Sequence, residues 1–171
     1  LVNNLKNAWW RAFVNRHANV HGLDSAIIQH PALWKASGHE AGFVDPMIDC
    51  RDCKHRFRAD HVAGVDSNDL KELAKLIKDK ACPNCGKTGT FTPPRQFNMM
   101  LSTHLGAVVD DSTKAYLRPE TAGGIYVNYD SVRETTRAKL PFGIAQIGKA
   151  FRNEITPRDF IFRVRELEQM E

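Results

Sequence analysis

The sequence predicts an α+β fold with an inserted, metal-stapled subdomain, and three patterns predict it. Residues 144–171 read as two long strands joined by a turn. Residues 1–14 and 69–80 carry apolar side chains at helical spacing. Four cysteines fall into two pairs, Cys50 with Cys53 and Cys82 with Cys85. Each two-residue gap lets a tight turn bring both sulfurs onto one tetrahedral ion.

The bulk properties bound the answer. A chain of 171 residues that is 42% hydrophobic and 26% charged can bury a core of its own. The net charge of +4 and pI near 9.0 are compatible with nucleotide or nucleic acid but select neither. No apolar run reaches the ~18 residues of a membrane span, and no signal-peptide pattern is visible. Paired cysteines fit a metal site in a reducing compartment better than disulfides. Opening on Leu1 inside a helix and ending on Glu171 inside a strand, the chain reads as a fragment.

Leu5, Trp9, Ala12 and Phe13 define the first helix, Leu1 to Val14. Trp9 and Trp10 are adjacent, so one is expected in the core and the other in a domain or subunit contact. Val20 to His30 reads as a loop leading into a strand centred on Ile27 and Ile28, ended by Pro31. Ala32 to Glu40 reads as a short helix or turn closed by Gly38. Residues 45–93 form the inserted segment, between 1–44 and 94–171. Within it, Leu70, Leu73, Leu76 and Ile77 mark a helix over 69–80 behind a Ser67-Asn68-Asp69 cap. A strand at 113–117 runs into Leu117-Arg118-Pro119-Glu120-Thr121, and a helix or irregular connection follows.

In the 144–171 hairpin, Thr156-Pro157-Arg158-Asp159 is the turn. After it, Phe162, Val164, Glu166, Glu168 and Met170 point one way. Ile161, Arg163, Arg165, Leu167, Gln169 and Glu171 point the other. Arg152 and Glu154 share a face before the turn. Arginines bracketing a carboxylate suit a ligand that carries phosphates and an amino edge, and they equally suit a salt-bridged solvent face. Cys50, Cys53, Cys82 and Cys85 are the expected ligands of a structural zinc ion, with His55 near enough to substitute. Glu120 could bind an ammonium group or simply start a helix. There is no P-loop, and no Ser/His/Asp constellation stands out.

Phe151-Arg-Asn-Glu-Ile-Thr-Pro-Arg158 with Phe162-Arg-Val-Arg-Glu-Leu-Glu-Gln-Met-Glu171 resembles motif 2 of class II aminoacyl-tRNA synthetases. Leu117-Arg-Pro-Glu-Thr-Ala122 and Pro141-Phe-Gly-Ile-Ala-Gln-Ile-Gly148 narrow the resemblance to glycyl-tRNA synthetases of the dimeric type. So do Asn4-Leu-Lys-Asn-Ala-Trp-Trp10, Arg58-Ala-Asp-His61 and Pro94-Arg-Gln-Phe-Asn-Met99.

The resemblance implies an antiparallel sheet flanked by helices, with the zinc subdomain inserted between motifs 1 and 2. It makes Leu1 to Pro31 a motif 1 that forms a homodimer contact, and it moves Trp9–Trp10 towards that interface. It implies ATP with Mg2+, glycine and tRNA(Gly) as substrates, in the cytoplasm. Arg152 would grip the α-phosphate and Glu154 would read the adenine amino group. Arg163 or Arg165 would hold the outer phosphates, with Asn153, Phe162, Val164, Glu166 and Leu167 completing the ATP site. Glu120 would take the glycine ammonium, and Leu167, Glu168, Gln169, Met170 and Glu171 would line the pocket, with Arg58 also facing substrate.

The chain departs from the family at Gly123, where Gln is usual, and at Leu167, where Phe is usual. It also stops before motif 3, which implies weak ATP and glycine affinity for these residues by themselves. The alternative reading is a catalytically impaired zinc-containing module of the same fold that binds nucleic acid or protein.

Overall fold

The computed structural model describes residues 1–155, 157 and 163–171. It contains two compact units: Leu1–Ala41 with Met100–Glu171, and Gly42–Met99. Helices and mainly antiparallel sheets are mixed in an α+β architecture.

The first unit opens with α1 (Val2–Trp10), continued by a π-helical turn over Arg11–Asn15. Its apolar residues do not all go inward: Leu5 and Phe13 stay exposed. Trp9 packs on Phe13 with ring centroids 5.2 Å apart. Trp10 lies over Gly22, where an added Cβ would fall 2.5 Å from the indole, so only glycine admits the ring. The stretch read as a loop leading into a strand holds the expected strand, β2 (Ile28–Gln29), and an earlier one, β1 (Val20–Gly22). Pro31 then starts α2 (Pro31–Ala36), where a missing N–H leaves no bond unmade. The His30 ring caps that helix, Nδ1 accepting from the Ala32 N–H at 3.1 Å. Gly38, with φ of +81°, turns the chain into α3 (His39–Gly42).

The second unit comprises β3 (Val44–Asp49), β4 (Arg56–Arg58), α4 (Ala59–Ala63), α5 (Leu70–Ile77) and β5 (Arg95–Asn98). The strands form an antiparallel sheet in the order β4-β3-β5. Ile48, Ala59, Leu73 and Ile77 form its core, flanked by Phe57 and Phe91. Asp69 caps α5 as its sequence implies, accepting from the Lys71 N–H at 2.8 Å. The helix ends at Ile77 rather than Lys80, and Leu76 stays on its outer side.

Back in the first unit come β6 (Ser102–His104), β7 (Lys114–Leu117), α6 (Ala122–Val127) and α7 (Tyr129–Thr136). β8 (Gly143–Ala145), β9 (Ile147–Phe151) and β10 (Glu166–Met170) complete it. β2, β7 and β6 make one antiparallel sheet, β9 and β10 another, and β1 pairs in parallel with β8.

The β9–β10 pair is the expected hairpin with shorter arms. The Arg152 N–H still reaches the Arg165 carbonyl at 2.9 Å. The Glu154 N–H then closes on the Arg152 carbonyl at 2.7 Å, a three-residue turn that ends the extended run. Register places Leu167 opposite Ala150 and Gln169 opposite Gly148 on one face. Glu166, Glu168 and Met170 sit on the other face, opposite Phe151, Lys149 and Ile147. Of the turn 156–159, only Pro157 is among the described residues, and Ile161 and Phe162 also lie outside them.

Candidate functional site

A buried arginine underlies the site. Arg118 follows β7 and is 1% exposed. Its Nε donates to the Lys149 carbonyl at 2.7 Å and Nη1 to the Ser25 carbonyl at 2.8 Å. The buried Gln146 amide, with its oxygen turned to Arg118, accepts from Nη1 at 2.7 Å and donates to the Ser25 hydroxyl at 3.0 Å. Burial pulls the guanidinium below its ordinary range, opposed by the charge of Asp24. A Cβ on Gly148 would stand 2.3 Å from Nη2, so the strand needs glycine where it crosses the arginine.

The next three residues turn the chain from β7 into α6 and gather side chains from the hairpin. The Pro119 carbonyl accepts from Arg152 Nε at 3.2 Å. Glu120 is half-exposed, its carboxylate 3.5 Å from His39 Nε2. Thr121 is fully buried; its N–H donates to Gln169 Oε1 at 3.0 Å and its hydroxyl donates to the Glu171 carboxylate. Arg152, Glu120, Gln169 and Glu171 therefore converge on one short turn. Thr121 is the residue that sequence reasoning left without a role. Its position just before a helix reads as an ordinary N-cap, which conceals its bond to a residue 50 positions on.

The hairpin's arginines contact Glu154. Arg165 Nε donates to the Glu154 carbonyl at 2.9 Å, and Arg163 Nε lies 3.8 Å from its carboxylate. Asn153, Val164 and Leu167 are half-buried. On the other face, Glu166 pairs with Lys149, and Glu168 pairs with Lys6 of α1 at 2.7 Å. Met170 shares that face. The expected pocket residues thus divide by strand face, with Leu167, Gln169 and Glu171 towards Thr121. Beside Gly123, the Trp34 indole fills the space a side chain would enter; a Cβ there would fall 2.7 Å from the ring. Phe162 lies outside the described residues.

Arg58 belongs to the second unit. It makes a fork onto Asp60, at 3.1 Å and 2.6 Å, and contacts Asp45 at 2.9 Å. These contacts brace the start of α4 against β3.

The cysteines of the second unit come together as their spacing implies. All four sulfurs lie within 4.8 Å of one another, Cys50 to Cys85 at 3.8 Å and Cys53 to Cys82 at 3.7 Å. Four sulfurs held ~2.3 Å from one tetrahedral ion stand about 3.8 Å apart, so the donor set fits zinc without rearrangement. Two knuckles present them. The Cys50 N–H bonds the His55 carbonyl at 2.9 Å, and the Cys82 N–H bonds the Lys87 carbonyl at 2.9 Å. Lys54 (φ +61°) and Gly86 (φ +74°) take the left-handed positions that close the turns. The Thr90 hydroxyl at 3.2 Å, helped by backbone N–H groups, lowers the Cys50 thiol to about 6. His55 instead bonds the Asn84 amide at 3.2 Å.

No family model matches the chain. At the level of class, curated relatives are aminoacyl-tRNA ligases, and the similarity runs the whole length of this chain. Among them are the glycine–tRNA ligases of Thermobifida fusca (52% identical), Borreliella burgdorferi (53%) and Streptomyces coelicolor (54%). The chain spans 37%, 35% and 37% of these proteins respectively, about a third of their length. Over that third it is similar to a glycyl-tRNA synthetase segment.

Proposed function

We propose that the chain is the catalytic-core segment of a glycine–tRNA ligase with a class II synthetase fold, activating glycine with ATP and passing it to tRNA(Gly). The supporting observation is the turn Pro119–Thr121, which joins Arg152, Glu120, Gln169 and Glu171 at one place. Similarity to glycine–tRNA ligases along the whole of this chain supports glycine as the substrate.

In this reading Glu120 receives the glycine ammonium, and Glu171 with Gln169 limits the pocket to the smallest side chain. Arg152 binds the α-phosphate as the glycine carboxylate oxygen attacks the phosphorus; pyrophosphate leaves and glycyl-adenylate remains. Glu154 reads the adenine amino group, with Asn153, Val164 and Leu167 beside it. Arg163 or Arg165 releases Glu154 to hold the outer phosphates, where Mg2+, when bound with ATP, would supply countercharge. The terminal ribose hydroxyl of tRNA then attacks the glycyl carbonyl and AMP departs. Positioning and charge neutralisation drive both steps, so no side-chain nucleophile is required.

The Cys50–Cys53–Cys82–Cys85 zinc is structural, because four sulfurs close the coordination shell. The exposed Leu5 on α1 and Phe13 on the π-helical turn that continues it support homodimer contact through residues 1–31. A cytoplasmic location accords with the enzyme class; among the described residues no helix is long and apolar enough to cross a membrane.

Thermal-shift titration of this chain with a non-hydrolysable glycyl-adenylate analogue tests the reading. Saturable stabilisation that disappears in Arg152→Ala supports it. No stabilisation, with tRNA still bound, would leave a binding module of the same fold instead.

A further inference from the structure

The hydroxyl of Thr121 does not do what its position calls for. A threonine at a helix N-cap ordinarily accepts a bond from a backbone N–H one turn into the helix. Thr121 precedes α6 but makes no such side-chain bond. Its hydroxyl proton goes to the Glu171 carboxylate, and its backbone N–H goes to Gln169 Oε1 at 3.0 Å.

Both bonds restrict what the two side chains can offer a ligand. Gln169 spends its oxygen on Thr121, so its NH2 end, a donor, faces onward. Glu171 accepts at one oxygen, which orients the other. A bond from a hydroxyl to a charged carboxylate is among the stronger side-chain bonds, and Thr121, buried and β-branched, has little freedom to release it. One residue thereby sets an anionic acceptor beside a neutral donor, immediately next to Glu120.

We propose that Thr121 is a positioning residue for the amino-acid substrate: it locks Glu171 and Gln169 into the orientation that admits a small α-amino acid, without touching that substrate. The inference rests on the glycine-activation reading above and adds to it the residue that sets glycine affinity and size discrimination.

The test is glycine-dependent exchange of pyrophosphate into ATP by the whole protein that carries this chain, comparing wild type, Thr121→Val and Thr121→Ser. Losing a hydrogen bond to a charged group predicts a rise in the glycine KM of about tenfold to a hundredfold in Thr121→Val. The ATP KM should move by less than about threefold, the range expected for a site not sharing the bond. Thr121→Ser, which keeps the hydroxyl, should restore the glycine KM to within about threefold. In a Glu171→Gln background, Thr121→Val should add little, because both act through one bond. Thr121→Ala carries the same comparisons if the valine variant does not fold.

An unchanged glycine KM in Thr121→Val overturns the inference. So does a serine variant as impaired as the valine one, or a uniform loss of kcat and both KM values with a lowered melting temperature. Absence of glycine-dependent exchange in the wild-type protein overturns the glycine-activation reading itself, and this inference with it.

Discussion

Thr121 and Glu171, 50 positions apart in sequence, are joined by a hydrogen bond from hydroxyl to carboxylate. The bond fastens the turn after β7 to the end of β10. The same turn reaches the end of β9 through Arg152 and Pro119, so three segments meet at that turn.

Arg152→Ala should remove stabilisation by a glycyl-adenylate analogue while leaving the protein folded. Charge-assisted bonds to phosphate contribute about 1.5–3 kcal/mol each, so affinity should fall by roughly tenfold or more. Calorimetric titration checks this, and unaltered affinity would remove Arg152 from the proposed phosphate site.

Gly148→Ala should destabilise the first unit by about 1–3 kcal/mol, the usual cost of overpacking. The added methyl would press on Arg118 Nη2, and that guanidinium cannot retreat because Ser25, Gln146 and Lys149 hold it. Chemical denaturation of the whole chain measures the loss. A wild-type midpoint would show that the arginine can shift after all.

Protein purified without added zinc should contain about one zinc ion per chain by metal analysis. Strong chelation should lower its melting temperature, and Cys53→Ser should reproduce the effect. Four thiols that titrate freely in metal-free, fully stable protein would contradict a structural metal.

Acid should weaken the second unit through Asp49. The hydrogen bond from Arg56, reinforced by the charges of Arg56 and Arg95 against opposing burial, holds this carboxyl below its ordinary 3.8. A depressed pKa in the folded state adds stability above the unfolded value, and that stability is lost as pH falls through the folded one. Asp49→Asn should therefore cost about 0.5–1 kcal/mol near neutrality, after allowance for solvent screening. The difference from wild type should shrink below pH 3.8. Denaturation curves across that range decide it; a loss that stays constant with pH would mean that it does not come from the charge of the carboxylate.

Much of the local structure was legible in the sequence because its causes are local. Pro31 follows the end of strand β2, Asp69 caps α5, and Gly38 turns the chain after α2. Each result follows from the φ range or side-chain oxygen of one residue. The cysteine spacing likewise anticipated four sulfurs at tetrahedral separation. Alternation anticipated β7 and the β9–β10 pair, whereas the turn at Arg152–Glu154 broke the pattern for a reason that alternation does not encode.

What sequence by itself determined was therefore the helical stretches near α1, α2 and α5, the strands β2, β7, β9 and β10, the Asp69 cap, the clustering of the four cysteines and the family resemblance; β1, β3 to β6 and α4 were not marked by it. Tertiary structure decided which faces met. It set Leu167, Gln169 and Glu171 towards Thr121 and put Glu166 and Glu168 on the opposite side, against Lys149 and Lys6. It turned Arg163 and Arg165 onto Glu154, and buried Arg118 beneath β9. The division has a physical cause. Backbone preference and side-chain periodicity act within a few residues, while partners such as Ser25 and Arg118, 93 positions apart, meet only through packing.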